Sequence, residues 1–509
     1  MRLAVYSVTL LLLGLSNRSF ATDRPNIVYI LADDLGYGDV SCYNPQSKIA
    51  TPNIDKLASE GVRFTDAHSP SSVCTPTRYS ILTGRYAWRT RLQRNVIGYF
   101  AQPLIAENQL TVAKLLKAQG YSTACIGKWH LGWGWPKPDK NGNRDFSKPI
   151  PNGPTSRGFD YYFGTDVPNY PPYCFLENDH TIGIPSAKAP VGQDSFNIPG
   201  PMIPGWKLVN ILPELEKRAV KHIEQLAEEK KPFFLYLPLT SPHYPVVPAP
   251  EFKNKSKAGD FGDFVVQTDQ VVGKVLDALK RTGIEKNTLV IFTSDNGPEV
   301  SGEVNPGVYD RLRLFGHASM GHLRGAKRDP WEGGHRVPFI ARWSGKITGG
   351  STCDETICHV DLMATLAALF KVQLPADAGV DSVNILPLLL LERHTSVLRD
   401  VTVHHSGQGK FAIRKGDWVL IFAPSGDDNR KEGEPDWFKK SRGYTPHSEP
   451  GELYNLSKDP SEKFNRYAKE PEKVKELTAI MKDYVIRGRS TPGPDQKNDV
   501  DIIWDKRRK

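Results

Sequence analysis

Cys74-Thr75-Pro76-Thr77-Arg78 sets a thiol and a permanent cation four residues apart around a proline. A β-strand suits neither the proline nor a close approach of the two side chains. One helical turn suits both, because residues i and i+4 share a face and proline is tolerated in a first turn. The spacing predicts a helix beginning at Cys74, with its sulfur in the electropositive N-terminal turn beside Arg78. That is a setting for a reactive or modified cysteine. A lone cysteine at a helix start is by default structural, so the rest of the chain has to decide. Asp33-Asp34 and Asp295-Asn296 offer three carboxylates and one amide oxygen. An all-oxygen set suits Ca2+ or Mg2+ and not zinc, although either pair alone reads as a turn or a cap. In Lys128-Trp129-His130 a period of two sets the cation and the imidazole on one side of an extended segment, where both reach one small anion. Ser241-Pro242-His243 and Arg324-Gly325-Ala326-Lys327, the latter leading into Trp331-Glu332-Gly333-Gly334, add one more imidazole and one more ammonium.

The elements that must position these groups are legible in the pattern. Pro25 to Ala32 is a nearly continuous apolar run ending in Asp33-Asp34, and Ser122–Ile126, Phe233–Leu237 and Leu289–Thr293 resemble it. Such runs predict central strands buried on both faces of a parallel sheet. Between them lie helical stripes: Val112 to Gln119 capped by Thr111 and stopped by Gly120, a helix opened by Pro213, and one carrying Phe264, Val271, Val275 and Leu279. Asp361 is placed to cap a helix over Leu362–Phe370. Strand–helix alternation makes the fold class α/β with a mostly parallel sheet. In such sheets ligands bind outside the carboxyl ends of the strands, so Asp33-Asp34 and Asp295-Asn296 should face one crevice. Trp133 to Pro213 has little periodicity and reads as functional loop, with Asn169-Tyr170-Pro171-Pro172-Tyr173 as candidate pocket lining. After residue 391 the texture changes to short strands at Val401–His404, Lys410–Arg414 and Trp418–Phe422, then Glu452–Leu456 and a helix opening at Pro471. The expected division is a catalytic domain over 22–391 and a small α+β subdomain with an antiparallel sheet over 392–509.

Arg2, the apolar run Leu3–Leu15 and Ser19-Phe20-Ala21 read as a signal peptide over 1–21, too short to span a membrane, and later stretches are shorter still. The expectation is an exported protein without membrane insertion, periplasmic, secreted or lysosomal according to its host. Lys and Arg outnumber Asp and Glu by 66 to 57, a modest and dispersed excess that does not indicate a nucleic-acid partner, so none is expected, and that accommodates an anionic substrate. Of the six cysteines, Cys353 and Cys358 are close enough to be the expected disulfide pair.

Cys74 to Gly84 follows C-[ST]-P-[ST]-R-x-x-[IL]-[IL]-T-G, and Gly120 to His130 follows G-Y-x-[ST]-x-x-[IVAS]-G-K-x-H. These segments resemble the two signatures of the type I sulfatases, in the branch of arylsulfatase A and N-acetylgalactosamine-6-sulfatase. The resemblance runs from Pro25 to Val485 and departs in having Ser71 where the family often has proline. It implies an alkaline-phosphatase-like fold and oxidation of Cys74 to formylglycine by a formylglycine-generating enzyme. It further implies one divalent cation, usually Ca2+, held by Asp33, Asp34, Asp295 and Asn296 with Cys74 as a neighbour. Hydrated formylglycine would be the nucleophile: one hydroxyl attacks sulfur, and deprotonation of the other expels sulfate. A serine lacks that second hydroxyl and would stall. By the same resemblance Arg78 and Lys128 orient the diol and His130 is the base. His243 and Lys327 bind sulfate oxygens, and one of them protonates the leaving alcohol. The implied activity is hydrolysis of a sulfate ester, of a saccharide by preference given the long polar-aromatic loops. Two other readings stay open here: a phosphodiesterase or phosphonate monoester hydrolase on the same scaffold, and a non-catalytic binding protein whose Cys74 is never oxidised.

Overall fold

Along the Asn26–Ala32 strand, Ile27, Tyr29 and Leu31 enter one hydrophobic core while Val28, Ile30 and Ala32 enter another. This two-sided burial is what an unbroken apolar run means in a covered parallel sheet. In the computed structural model, which describes residues 24–507 except 191, 193–195, 197 and 301–305, that strand is central to a ten-stranded mixed sheet. The segment read as a signal peptide lies outside the described residues. Five neighbouring strands are mutually parallel, in the order Thr288–Ser294, Asn26–Ala32, Phe233–Pro238, Ser122–Lys128, Tyr161–Thr165. Phe339–Trp343 and Val62–Phe64 extend one edge by antiparallel pairing, and Leu176–Glu177 and His180–Thr181 extend the other.

Helices Pro52–Ser59, Ile211–Glu229 and Gly259–Arg281 bury their apolar stripes on one face. Cys74–Thr83, Val112–Ala118 and Leu362–Leu369 cover the other. Thr111 caps as expected, its hydroxyl accepting from the Lys114 amide at 3.1 Å. Asp361 precedes its helix without capping it. Its carboxylate instead accepts from the Cys358 and Val383 amides and pairs with Arg399. The helix expected from Pro213 opens at Ile211, with the proline in its first turn.

A separate four-stranded antiparallel sheet runs Val401–His405, Phe411–Lys415, Trp418–Ile421, Glu452–Asn455. Leu477 and Met481 of helix Pro471–Ile486 pack on it, and Tyr86 and Trp88 share that core. Its first strand continues to the helix carrying Cys74 through a parallel bridge between Ser71 and His405.

The expected Cys353–Cys358 disulfide is absent: both are free thiols. Cys353 ends a strand paired to Val62–Phe64, whereas Cys358 pairs with His68 in a different, two-stranded sheet. Sequence proximity was overridden by two sheets holding the backbones separately.

Candidate active site

The register Ala32↔Ser294 aligns the ends of two adjacent strands, so Asp33-Asp34 and Asp295-Asn296 emerge side by side. Lys128 is the last residue of the Ser122–Lys128 strand and His130 follows at a φ of 53°. Gly127 before it has φ 137°, and a Cβ there would overlap the Pro238 carbonyl of the neighbouring strand. Only glycine lets the strand deliver Lys128 at this depth. His243 follows the Phe233–Pro238 strand. The helix over Cys74–Thr83 begins where the spacing predicted, with Cys74 in its first turn and 2 % exposed. Gly84, left-handed at φ 62°, ends it.

The predicted residues converge. Cys74 Sγ lies 3.4 Å from His130 Nδ1. His130 Nε2 lies 3.0 Å from the Ile97 carbonyl, which can only accept, so Nε2 carries the proton and Nδ1 presents its lone pair to the sulfur. Lys128 Nζ lies 2.6 Å from Asp33 Oδ2. Lys327 Nζ lies 2.7 Å from Asp34 Oδ2 and 3.4 Å from Glu299 Oε2. His243 donates through Nδ1 to the Tyr244 carbonyl and turns Nε2 toward Asp34 Oδ2 at 3.7 Å. Arg78 is committed to the acidic cluster: Nε and Nη2 donate to Asp295 Oδ2 at 3.1 and 2.8 Å, Nη1 to the Lys128 carbonyl, and Nη2 lies 3.3 Å from Asp33.

Asp33 Oδ1 and Asn296 Oδ1 are buried without a hydrogen-bond partner. Orphaned acceptors of this kind, beside the Asp34 and Asp295 carboxylates, fit a hard divalent cation. Asp33, Asp34 and His243 bring ligand atoms within 4.8 Å of one another. Asp295 lies outside that group; Arg78 takes its Oδ2, and the Asp34 amide donates to Oδ1 at 3.2 Å, which leaves a lone pair on Oδ1 for a cation.

The protonation states follow from the packing. Burial raises the Asp33 carboxyl, but Lys128, His243 and Arg78 outweigh it and hold the group far below the ordinary range. Burial and the Asp33 charge push Asp295 well upward, against Arg78. Burial, then Lys128, bring His130 down to about 3 and His243 to about 4, so both are neutral at pH 7. Burial works against the Lys327 ammonium, yet Asp34 and Glu299 keep it protonated beyond the usual lysine range.

Cys74, His130, His243 and Lys327 line a cavity of about 460 Å3. Asn169 and Tyr170 of the aromatic-proline stretch also line it, whereas Tyr173 packs on Phe196 in the core. Sequence reasoning missed four participants. Glu299 and Arg328 face the cavity; Arg328 directly follows Lys327, and Glu299 stands three residues beyond Asn296, the one signal available. Asp166 accepts from the His130 amide at 3.2 Å. The Ile97 carbonyl is a main-chain group and carried no signal.

A family model described as Sulfatase matches residues 25–372. The chain is 35% identical over 502 residues to an N-acetylgalactosamine-6-O-sulfatase of Bacteroides thetaiotaomicron, covering 92% of this chain and 94% of that one. It is 34% identical to human arylsulfatase A over 473 residues, covering 89% and 86%. A solved B. thetaiotaomicron sulfatase, from work on the metabolism of multiple glycosaminoglycans, superposes with a TM-score of 0.78 at 34% identity, covering 91% and 99%. A Pseudoalteromonas sp. sulfatase superposes with a TM-score of 0.71 at 26% identity, covering 93% and 92%.

Proposed function

We propose, from the premise that this chain belongs to the sulfatase family and is a sulfuric ester hydrolase, that it is an exported enzyme removing sulfate from a sulfated saccharide through a formylglycine made from Cys74. The observation that carries the reading is Cys74 lining the cavity, with a lone-pair nitrogen at 3.4 Å and a protonated lysine in the same lining. The name of the N-acetylgalactosamine-6-O-sulfatase relative supports a saccharide substrate. A formylglycine-generating enzyme is then the maturation partner. Asp33, Asp34, Asp295 and Asn296 would hold the divalent cation, Ca2+ by preference, which when bound would supply positive charge to offset that of the reacting sulfate.

The chain's own residues do the rest. Lys327 flanks the sulfate and fixes its oxygens where negative charge grows, and His243, whose Nδ1 proton is held by the Tyr244 carbonyl, joins it once the bound anion draws a proton onto its Nε2. One hydroxyl of the hydrated residue 74, having given its proton to solvent, forms a bond to sulfur as an alkoxide while the ester S–O bond breaks. Lys327, the flanking group that holds a proton at pH 7, gives it to the departing alcohol. His130 Nδ1 then takes the proton of the second hydroxyl. The carbonyl re-forms, the carbon–oxygen bond to the sulfate breaks, and sulfate leaves. Lys128 and Arg78 hold Asp33 and Asp295 in place beneath this centre.

Mass spectrometry of the tryptic peptide Phe64 to Arg78, from cells with a formylglycine-generating system, tests maturation: a peptide lighter by the thiol-to-aldehyde change is expected. Sulfate release from sulfated sugars is then compared with phosphate release from matched aryl esters. An alkylatable Cys74 with no sulfate release sinks the proposal, and faster phosphate release returns the phosphodiesterase reading. Export is supported by the pattern of residues 1–21, and N-terminal sequencing of mature protein should begin at Thr22.

A further inference from the structure

The cavity has a second recognition element that the proposed reaction does not use. Arg328 follows Lys327 in a left-handed conformation at φ 78°, which a non-glycine residue holds only when its surroundings enforce it. Here its amide donates to the Ser72 carbonyl at 2.8 Å and its carbonyl accepts from the Gly407 amide at 3.0 Å. The backbone is thus pinned between the segment before Cys74 and a loop of the antiparallel sheet. The side chain is pinned as well. Nε donates to Asn429 Oδ1 at 2.6 Å, and Nη1 and Nη2 both engage the Glu299 carboxylate. Asn429 is itself buried and tied through Nδ2 to the Lys327 carbonyl at 3.0 Å.

A carboxylate 3.4 Å from the lysine weakens the pocket's attraction for an anion, which a pocket built only to hold a sulfate would not favour. The arrangement makes sense if the group beyond the sulfate is neutral and polar. Glu299 offsets the charge of Arg328, so the pair does not attract a second anion strongly. A guanidinium has five N–H donors, and the three bonds above leave two for the cavity it lines. Building on the saccharide-sulfatase reading, we infer that Arg328, oriented by Glu299 and Asn429, selects the sugar by donating to an uncharged oxygen, a hydroxyl or an amide carbonyl, on the ring that carries the sulfate.

The test compares matured wild type, Arg328→Lys and Arg328→Met on two probes: a panel of hexose and N-acetylhexosamine 6-sulfates, and 4-nitrophenyl sulfate, which has the ester but no ring hydroxyls. Losing a forked, charged donor should lower the saccharide-to-aryl ratio of kcat/KM on the order of 10–100-fold in both variants, through a raised saccharide KM with kcat little changed. Arg328→Lys keeps the charge and stem, so it answers the question should Arg328→Met not fold. An unchanged ratio overturns the inference and leaves Arg328 as a support for Lys327. A wild type that cleaves the aryl ester but none of the sugars also overturns it, while the sulfatase reading stands. A wild type that cleaves neither overturns that reading itself.

Discussion

His130→Ala separates the two halves of the proposed reaction. The imidazole is buried, its Nε2 proton is spent on the Ile97 carbonyl at 3.0 Å, and burial with the Lys128 charge brings its pKa to about 3. It is therefore neutral at pH 7 and has one free task, accepting a proton at Nδ1, 3.4 Å from the atom that becomes the nucleophilic centre. Removing a positioned general base slows its step by about 10²–10⁴-fold, roughly 3–5 kcal/mol of barrier. That step comes after the alcohol has left. The variant should release about one equivalent of aryl alcohol per active site in a burst, then turn over about 10²–10⁴-fold more slowly than wild type. The Phe64–Arg78 peptide of the quenched enzyme should carry sulfate. Stopped-flow absorbance with 4-nitrophenyl sulfate at pH 7 and mass spectrometry of the quenched sample read both quantities. Losing the imidazole also strands the Ile97 carbonyl at about 1–3 kcal/mol of stability, so folding is checked by circular dichroism. A slow first turnover without a burst would refute the reasoning, since His130 would then act in attack on sulfur. Turnover close to wild type would refute any role as a base.

Dialysis against EGTA should abolish sulfate release and lower Tm, and Ca2+ should restore both, because Asp33 and Asn296 keep oxygens that no protein donor satisfies; full activity in protein shown metal-free by elemental analysis would count against the site. Arg89→Met should cost about 3–5 kcal/mol in urea unfolding, since Arg89 grips Asp381 through two bonds of 2.8 Å with both side chains buried, and the variant leaves that carboxylate unpaired. A shift below about 1 kcal/mol would show the pair to be no more than a surface-like contact. His359 is buried and held at about 3 by burial and then His68. A depressed folded pKa means that the unfolded chain takes the proton first, so this histidine's contribution is full above pH 6.5 and falls as pH drops toward 3. The stability difference between wild type and His359→Asn should thus shrink by about 2 kcal/mol from pH 7 to pH 5, and a difference flat across that range would contradict the burial argument.

What the sequence determined by itself was whatever repeats or terminates locally. The unbroken apolar run Ile27–Ala32 announced a strand covered on both faces, and Pro76 with Arg78 announced the helix that begins at Cys74. Because parallel strands end on one side of a sheet, the residues adjacent to two of those endings, Asp33-Asp34 and Asp295-Asn296, could be assigned to one crevice without coordinates. Decisions between distant segments were another matter. Arg78 could pair with any acid until the Ala32↔Ser294 register brought Asp295 beneath it. Cys353 and Cys358, close in sequence, ended on different sheets. Tyr170 reached the cavity while Tyr173, three residues on, was claimed by Phe196. The tautomer of His130 was set by the carbonyl of Ile97, a group that every residue carries and that no residue type can advertise. Arg328 and Glu299 meet only because a strained backbone and Asn429, 101 residues away from Arg328, hold the guanidinium in place. Periodicity and strand ends are properties of neighbours along the chain; ion-pair choice, tautomer and pocket lining depend on which distant segments the packed sheet brings into contact, and that only the tertiary structure decides.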